Sequence, residues 1–338
     1  MVNKHGGDTY GRKIKLDFSA NLNPLGMPES VRNAAVSAAA DSAGYPDPYC
    51  RDLVKKLSLH ESIDAEKIVC GNGADDLIYR IVHALRPGRA VIAVPTFSEY
   101  AKALNEVNCQ VAEYAADKIT DVLSDDVDIL ILCDPNNPTG QITDPDRLKN
   151  ICKKCAEKNI VFLCDECFMD LCENAEKYTA RQFMTDNMIV LKAFTKTFAM
   201  AGLRLGYALF GSTETARKVR ESGQFWSVSA VAQAAGIAAL DEKKYVSDAV
   251  KLIREERKYL HDELSKTGFT VCPSDANFIL FRCEVPLDEL LLGEGIMKRN
   301  CNNYSGLGEG YFRIAVRTRE ENEELIKAIG RVMEWQKK

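Results

Sequence analysis

Long apolar runs are what this sequence lacks first: none reaches the ~18 residues that a membrane-spanning helix needs. The opening segment, MVNKHGGDTYGRK, has no apolar core of signal-peptide length either. These absences predict a chain that stays in the cytoplasm and has no membrane partner. Positive charge is not in excess: 44 Lys and Arg against 49 Asp and Glu give a net charge of -5, with both signs interspersed. That excludes a broad nucleic-acid surface while leaving room for a local basic pocket. Histidine is scarce, four in 338 residues, so proton transfer in an active site is expected to fall to another side chain, such as a lysine. No internal repeat and no low-complexity linker interrupts the chain.

What is present is a globular composition, 46% hydrophobic and 28% charged, in a chain long enough for one large domain and a smaller one. Twelve cysteines, with no secretory signal, are expected to be reduced thiols packed as small hydrophobes. Two C-x-x-C pairs, Cys152/Cys155 and Cys164/Cys167, raise the question of zinc. Paired zinc ligands usually stand roughly 15–20 residues apart, which these do not. The first pair lies in the helical stretch DPDRLKNICKKCAEK and Cys164 ends the strand-like IVFLC. Buried thiols and no metal are expected.

The middle of the chain alternates short apolar runs with amphipathic stretches. Strands are expected at Ile68–Cys70, Ala90–Val94, Ile129–Cys133, Ile160–Cys164, Met188–Lys192 and Gly206–Phe210. Helices are expected at Asp75–Leu85, Glu99–Val107 and Pro145–Lys158. This alternation is the signature of a mostly parallel sheet covered on both faces, an α/β fold. A long helical pattern follows from Lys243 to Thr267. Beyond it, FTVCP, NFILFRC and YFRIAV read as strands of a smaller α+β domain. The expected division is 1–44 as an N-terminal arm and part of the small domain, 45–240 as the large domain and 241–338 as the small C-terminal domain.

In such sheets ligands bind at the carboxyl ends of the strands, and the unusual residues gather there. After KIVC comes GNGADD, a Gly-rich turn opening a helix whose free N–H groups suit a phosphate. A dinucleotide would need a third Gly where Asp76 stands, which removes a nicotinamide oxidoreductase from consideration. After AVIAV comes Phe97, able to lie flat on a planar ring. After ILILC, the rigid turn DPNNPTG aims Asn137 into the same crevice. After IVFLC comes Asp165, a carboxylate that needs a cationic partner such as a pyridinium N–H. After MIVLK comes AFTKTFAMAGLRLGY, with Lys196 between strand and helix and Arg204 eight positions on. A lysine buried among apolar residues has its pKa lowered, which favours a nucleophilic amine. These are the parts of a pyridoxal 5′-phosphate site: phosphate cradle, ring stack, ring-oxygen donor, ring-nitrogen carboxylate and Schiff-base lysine.

With these motifs in this order, the sequence resembles the fold-type I pyridoxal-phosphate enzymes of the class I/II aminotransferase group over essentially its whole length. The resemblance implies that Ala74 and Asp75 N–H groups, Thr195 and Arg204 hold the cofactor phosphate. Phe97 would stack on the ring, Asn137 reach its hydroxyl, Asp165 its nitrogen, and Lys196 carry it. Tyr45, in YPDPYCRDL, matches a tyrosine that crosses to the neighbouring subunit's phosphate, which implies a homodimer with a shared active site. Arg313, in FRIAV, matches the arginine that binds the substrate α-carboxylate.

Within the group, two subfamilies with phosphorylated substrates fit: histidinol-phosphate aminotransferase and the threonine-phosphate decarboxylase of cobalamin biosynthesis. His5–Gly7 (HGG), FSANLNPLG, Phe168 in D-E-x-F, GIMKRNCNNYSGL and RIAVRTREEN resemble the decarboxylase. The resemblance implies that Arg299 binds the substrate phosphate, with His5 and Asn21 near it and Arg317 beside Arg313. Two departures stand out: Ala193 replaces a serine that contacts the cofactor phosphate in relatives, and Phe168 removes a hydroxyl from the ring oxygen. The implied activity is decarboxylation of O-phospho-L-threonine through Lys196 and Asp165. Its rivals are an aminotransferase acting on histidinol phosphate and a non-catalytic regulator that binds the same cofactor.

Overall fold

The computed structural model describes residues 5–335. A short first strand, β1 (Leu16–Asp17), precedes a central sheet built from β2 (Ile68–Gly71), β3 (Arg89–Val94), β4 (Gln110–Ala115), β5 (Ile129–Cys133), β6 (Val161–Asp165), β7 (Met188–Ala193) and β8 (Gly206–Phe210). Its strand order is β2-β8-β7-β6-β5-β3-β4, and every strand runs parallel to the others except β8. Apart from the edge strand β4, the sheet is buried on both faces because its strands are almost entirely apolar rather than alternating. Along β5, Leu130 and Leu132 enter one apolar layer with Leu53, Leu148 and Phe162. Ile129 and Ile131 enter the opposite layer with Leu77, Ile78 and Tyr100. Such alternation follows from the two-residue period of a strand.

The remaining strands are β9 (Thr270–Val271), β10 (Phe278–Arg282), β11 (Ile296–Met297), β12 (Arg299–Asn300) and β13 (Tyr311–Ala315). β12-β13-β10-β9 form a second, four-stranded sheet, while β11 pairs in parallel with β1 and so ties the start of the chain to its end. Phe18, Leu260, Phe281, Ile314 and Ile329 pack in the core beside this sheet. The Lys243–Lys266 helix buries Ala249, Ile253, Leu260 and Leu264 at helical spacing. Its buried Glu256 is satisfied by Arg319 and Asn322 of the last helix, Arg319–Trp335.

Four expectations shift. β6 runs from Val161 to Asp165, one residue later than expected, so Asp165 is the last strand residue instead of the first beyond it. The helix after β2 starts at Gly73, two residues before Asp75, which puts Ala74 and Asp75 in its first turn. β4 was not foreseen, because QVAEYA forms a partly exposed edge strand without a continuous apolar run. The expected long helix ends at Lys266 in place of Thr267. The Pro145–Glu157 helix begins as its sequence demands, with Pro145 at the first turn and Asp144 accepting from the Asp146 and Arg147 N–H groups.

Cys152, Cys155 and Cys164 lie in one apolar layer and Cys167 in the other. The two C-x-x-C pairs therefore do not converge on a point. All twelve cysteines are free thiols, and burial raises those of both pairs. Among the described residues, no helix is long and apolar enough to cross a membrane.

Candidate active site

Parallel β2, β3, β5, β6 and β7 end on the same edge of the sheet, and antiparallel β8 begins there. The chain leaves β3 towards edge strand β4 and returns on the other side of β3 as β5. That reversal opens a crevice beyond the strand ends. A cavity of about 490 Å³ occupies it, lined by Ala74, Asp75, Phe97, Asn137, Asp165, Thr195, Lys196 and Arg204. His5, Asn21, Arg299 and Arg313 line the same cavity from the N-terminal segment and the second sheet. Of the residues singled out in the sequence, Tyr45 and Arg317 stand apart from it. Tyr45 is 81% exposed and stacks on Trp226 at 4.3 Å. Arg317, expected beside Arg313, instead makes a salt bridge with Glu321 at 2.6 Å, because it lies beyond β13, where the chain turns into the last helix.

The end of the cavity beside the Gly73–Leu85 helix is shaped by close backbone approach. Gly73 has φ +85°, and a Cβ there would lie 2.5 Å from Nη2 of Arg204. A Cβ on Gly206 would lie 2.6 Å from the Ala74 nitrogen. The guanidinium of Arg204 is thereby held against the first turn of the Gly73–Leu85 helix, where N–H groups and the helix dipole already favour an anion. Asp75 shares this turn; burial, followed by the nearby Glu99, pushes its carboxyl above the usual range, and its Oδ1 is buried without a partner.

Lys196 sits in the single turn Phe194–Thr197 after β7. Its amine has a pKa lowered to about 8, chiefly by burial, with the positive charges of Arg313 and Arg204 adding to the effect. Its Nζ lies 5.7 Å from the centroid of Phe168, which packs edge-on against Phe278 at 5.0 Å. Ala193 also faces the cavity and offers no hydroxyl there. Asp165 is held by the Tyr100 hydroxyl at 2.5 Å on one oxygen and by the Cys167 N–H at 3.0 Å on the other. Burial, and then the Asp165 charge, keeps the Tyr100 phenol protonated as a donor. Asn137 directs its side-chain oxygen at Arg313 and at the Tyr304 hydroxyl, 3.4 Å away.

The second sheet brings two cations together. Arg299 of β12 and Arg313 of β13 are register partners in an antiparallel pair, and both are buried. Arg313 donates from Nη2 to the Ser19 carbonyl at 2.8 Å, while its Nε is buried without a partner. Arg299 donates from Nη2 to Asn303 at 2.7 Å and lies over the Tyr304 ring.

Sequence reading missed Tyr100, Glu99 and Tyr304, all of which line the cavity. Tyr100 and Glu99 sit within PTFSEY and Tyr304 within NCNNYSGL, so their motifs were legible but their orientation was not.

A cavity with a partly neutral lysine amine, a fixed carboxylate and a helix N-terminus backed by Arg204 fits pyridoxal phosphate, an aldehyde with a phosphate and a basic ring nitrogen. Comparison with known proteins agrees. Residues 13–329 match the family model "Aminotransferase class I and II". The chain is 35% identical to threonine-phosphate decarboxylase of Salmonella typhimurium over 94% of this chain and 91% of that protein. It is 30% identical to histidinol-phosphate aminotransferase of Methanosarcina mazei, covering 95% and 89%. Among solved structures, histidinol-phosphate aminotransferase from Clostridium acetobutylicum superposes with a TM-score of 0.87 at 29% identity, covering 94% of this chain and 99% of that one. The chain therefore belongs to the class I and II aminotransferase family and is a pyridoxal-phosphate-dependent enzyme of fold type I.

Proposed function

We propose that the protein decarboxylates O-phospho-L-threonine to aminopropanol phosphate and CO2, a reaction of cobalamin biosynthesis. The carrying observation is the Arg299–Arg313 pair. Like charges directly opposite on a sheet are destabilising, and these two are buried in one cavity with Lys196. A substrate carrying both a carboxylate and a phosphate would offer one anion to each of them. The similarity to the Salmonella typhimurium decarboxylase over nearly the full length of both chains supports the same reading.

In this reading the Ala74 and Asp75 N–H groups, Thr195 and Arg204 would hold the cofactor phosphate, and Phe97 would cover the ring. Asp165 would keep a proton on the ring nitrogen, and Asn137, whose Oδ1 is taken by Arg313, would offer Nδ2 to the ring oxygen. Bound pyridoxal phosphate supplies an electron sink for the bond that breaks at the substrate α-carbon. Arg313 takes the substrate carboxylate; Arg299, with Asn21 and His5, takes its phosphate. Two anions held at Arg313 and Arg299 would fix the orientation of the substrate and so decide which α-carbon bond is presented for cleavage. With the carboxylate so presented, CO2 would leave, and Lys196, whose amine lies in the same cavity, would supply the proton that replaces it on the α-carbon. Asp165 and Lys196 are thus the catalytic pair.

Tyr45, Tyr49, Phe225 and Trp226 form a cluster of ring contacts on the surface, each 45% or more exposed. Such a patch suits an interface, and a homodimer in which Tyr45 of the partner subunit reaches the cofactor phosphate accounts for its distance from its own cavity.

The test supplies the purified enzyme with O-phospho-L-threonine alone, then with histidinol phosphate and 2-oxoglutarate. CO2 release without a keto-acid acceptor is expected. Amino transfer with no CO2 would make the enzyme an aminotransferase.

A further inference from the structure

One buried carboxylate beside the cavity has no part in the chemistry described so far. Glu99 opens the helix Glu99–Glu106 and is 8% exposed. It joins three separate pieces of the molecule. Its Oε1 lies 3.0 Å from Nε2 of His5 in the N-terminal arm. Its Oε2 accepts from the Tyr79 hydroxyl at 2.8 Å and from the Lys102 ammonium at 3.1 Å. Burial works against the charge, but Tyr79 and Lys102 outweigh it and hold the Glu99 carboxyl below its usual range.

The arm is seated at a second place. Gly7 N–H donates to the Ser19 hydroxyl at 2.8 Å, and a Cβ on Gly6 would lie 2.0 Å from the Ser19 carbonyl oxygen. That same carbonyl accepts from Arg313. The His5 ring also tilts against Phe97, with centroids 5.6 Å apart. His5 is therefore fixed between the ring-stacking phenylalanine and a buried carboxylate, on an arm that touches the partner of Arg313.

We propose that Glu99 is a positioning residue for the substrate: it fixes His5 so that the imidazole presents its other nitrogen to the phosphate of a short phosphorylated amino acid. This rests on the reading above, which makes His5 a phosphate ligand. With Nε2 committed to the carboxylate, Nδ1 donates to a phosphate only when the ring carries a proton. A doubly protonated ring placed between Glu99 and the substrate phosphate would donate one N–H to each. Anchoring the arm in this way also limits the reach of the cavity, which favours a phosphate two atoms from the α-carbon over one at the end of a longer side chain.

The test compares the holoenzyme with His5→Ala, Glu99→Ala, Glu99→Gln and the His5→Ala/Glu99→Ala double variant. Two quantities are read: KM and kcat for O-phospho-L-threonine, and the Kd of isopropyl phosphate by calorimetry. Isopropyl phosphate has neither amine nor carboxylate, so its binding probes the phosphate position whichever reaction the enzyme performs. His5→Ala and Glu99→Ala are each expected to raise KM and Kd by about tenfold while kcat stays within about threefold, and the double variant is expected to be no worse than His5→Ala. Glu99→Gln, which keeps an acceptor for Nε2–H without the charge, is expected to fall between the wild type and Glu99→Ala. It carries the test if the alanine variant does not fold. Single effects that multiply in the double variant would overturn the proposal, because Glu99 would then act independently of His5. A Glu99→Ala enzyme with unchanged Kd, or one that loses kcat alone, would overturn it as well. Failure to release CO2 with the Kd pattern intact would overturn only the choice of reaction.

Discussion

In the cofactor-free protein, Lys196 has a pKa lowered to about 8 from the ordinary 10.5, first by burial and then by Arg313. At pH 7 this raises the share of neutral, nucleophilic amine roughly 300-fold over an ordinary lysine. The rate at which apoenzyme takes up pyridoxal phosphate, followed by the cofactor's absorbance change from pH 6 to 10, is expected to rise and level off near pH 8. A Lys196→Ala protein supplies the baseline for uptake by other amines. Arg313→Gln removes the largest charge contribution and is expected to move the levelling point upward by on the order of one pH unit. The same shift affects stability. The unfolded chain binds this proton up to pH 10.5 and the folded apoenzyme only up to about 8, so stability rises with pH across that window and the full penalty applies below it. Removing the amine in Lys196→Met is therefore expected to stabilise apoenzyme at pH 7 by up to about 3 kcal/mol, discounted by the water that the cavity admits, with the gain vanishing above pH 10.5. An uptake rate that keeps climbing beyond pH 9.5, or an Arg313→Gln profile that coincides with the wild type, would refute this account.

Arg299→Ala is expected to raise KM for O-phospho-L-threonine by roughly 10- to 100-fold, the cost of a charge-assisted contact of about 1.5–3 kcal/mol, and to change the far slower turnover of L-threonine much less. Equal losses on both substrates would place Arg299 elsewhere in the reaction. Tyr100→Phe removes one of two hydrogen bonds to Asp165 and is expected to cost about 1.5–3 kcal/mol in denaturant unfolding; loss confined to kcat with unchanged stability would contradict a supporting role. Asp134 is fully buried, its Oδ2 has no partner, and burial pushes its carboxyl up to about 7. The folded protein holds this proton over a range where the unfolded chain has lost it, so the charge penalises folding above about pH 7 and disappears towards pH 4. Asp134→Asn is expected to stabilise the protein most at pH 8, by much less at pH 5 and hardly at all near pH 4; a gain independent of pH would show that the charge is not the cause.

Which residues could be read from the sequence follows from how each reaches the cavity. Asn137, Asp165 and Lys196 were legible because each closes a parallel strand or the turn just after it, and the ends of parallel strands meet by construction. Knowing the strand is enough to place the residue, even with β6 one position later than expected. The missed edge strand β4 had little effect for the same reason: it borders the sheet and lends no residue to the cavity. Tyr100, Glu99 and Tyr304 are different. Tyr100 reaches Asp165 across 65 positions, and Glu99 meets His5 across 94. No local spacing encodes such contacts; they depend on how a helix is rotated and where an N-terminal arm comes to rest. Arg299 and Arg313 lie between these cases. Each sits in a recognisable strand, but that they face one another depends on the β12–β13 register, and a slip of one residue would turn one of them to the opposite face of the sheet. The residues proposed to hold the cofactor are thus written in motifs, whereas those proposed to hold the substrate are written in register and in the seating of the arm. Changes of substrate among related chains are accordingly expected to arise at β12, β13 and the N-terminal arm, with the strand-end motifs left intact.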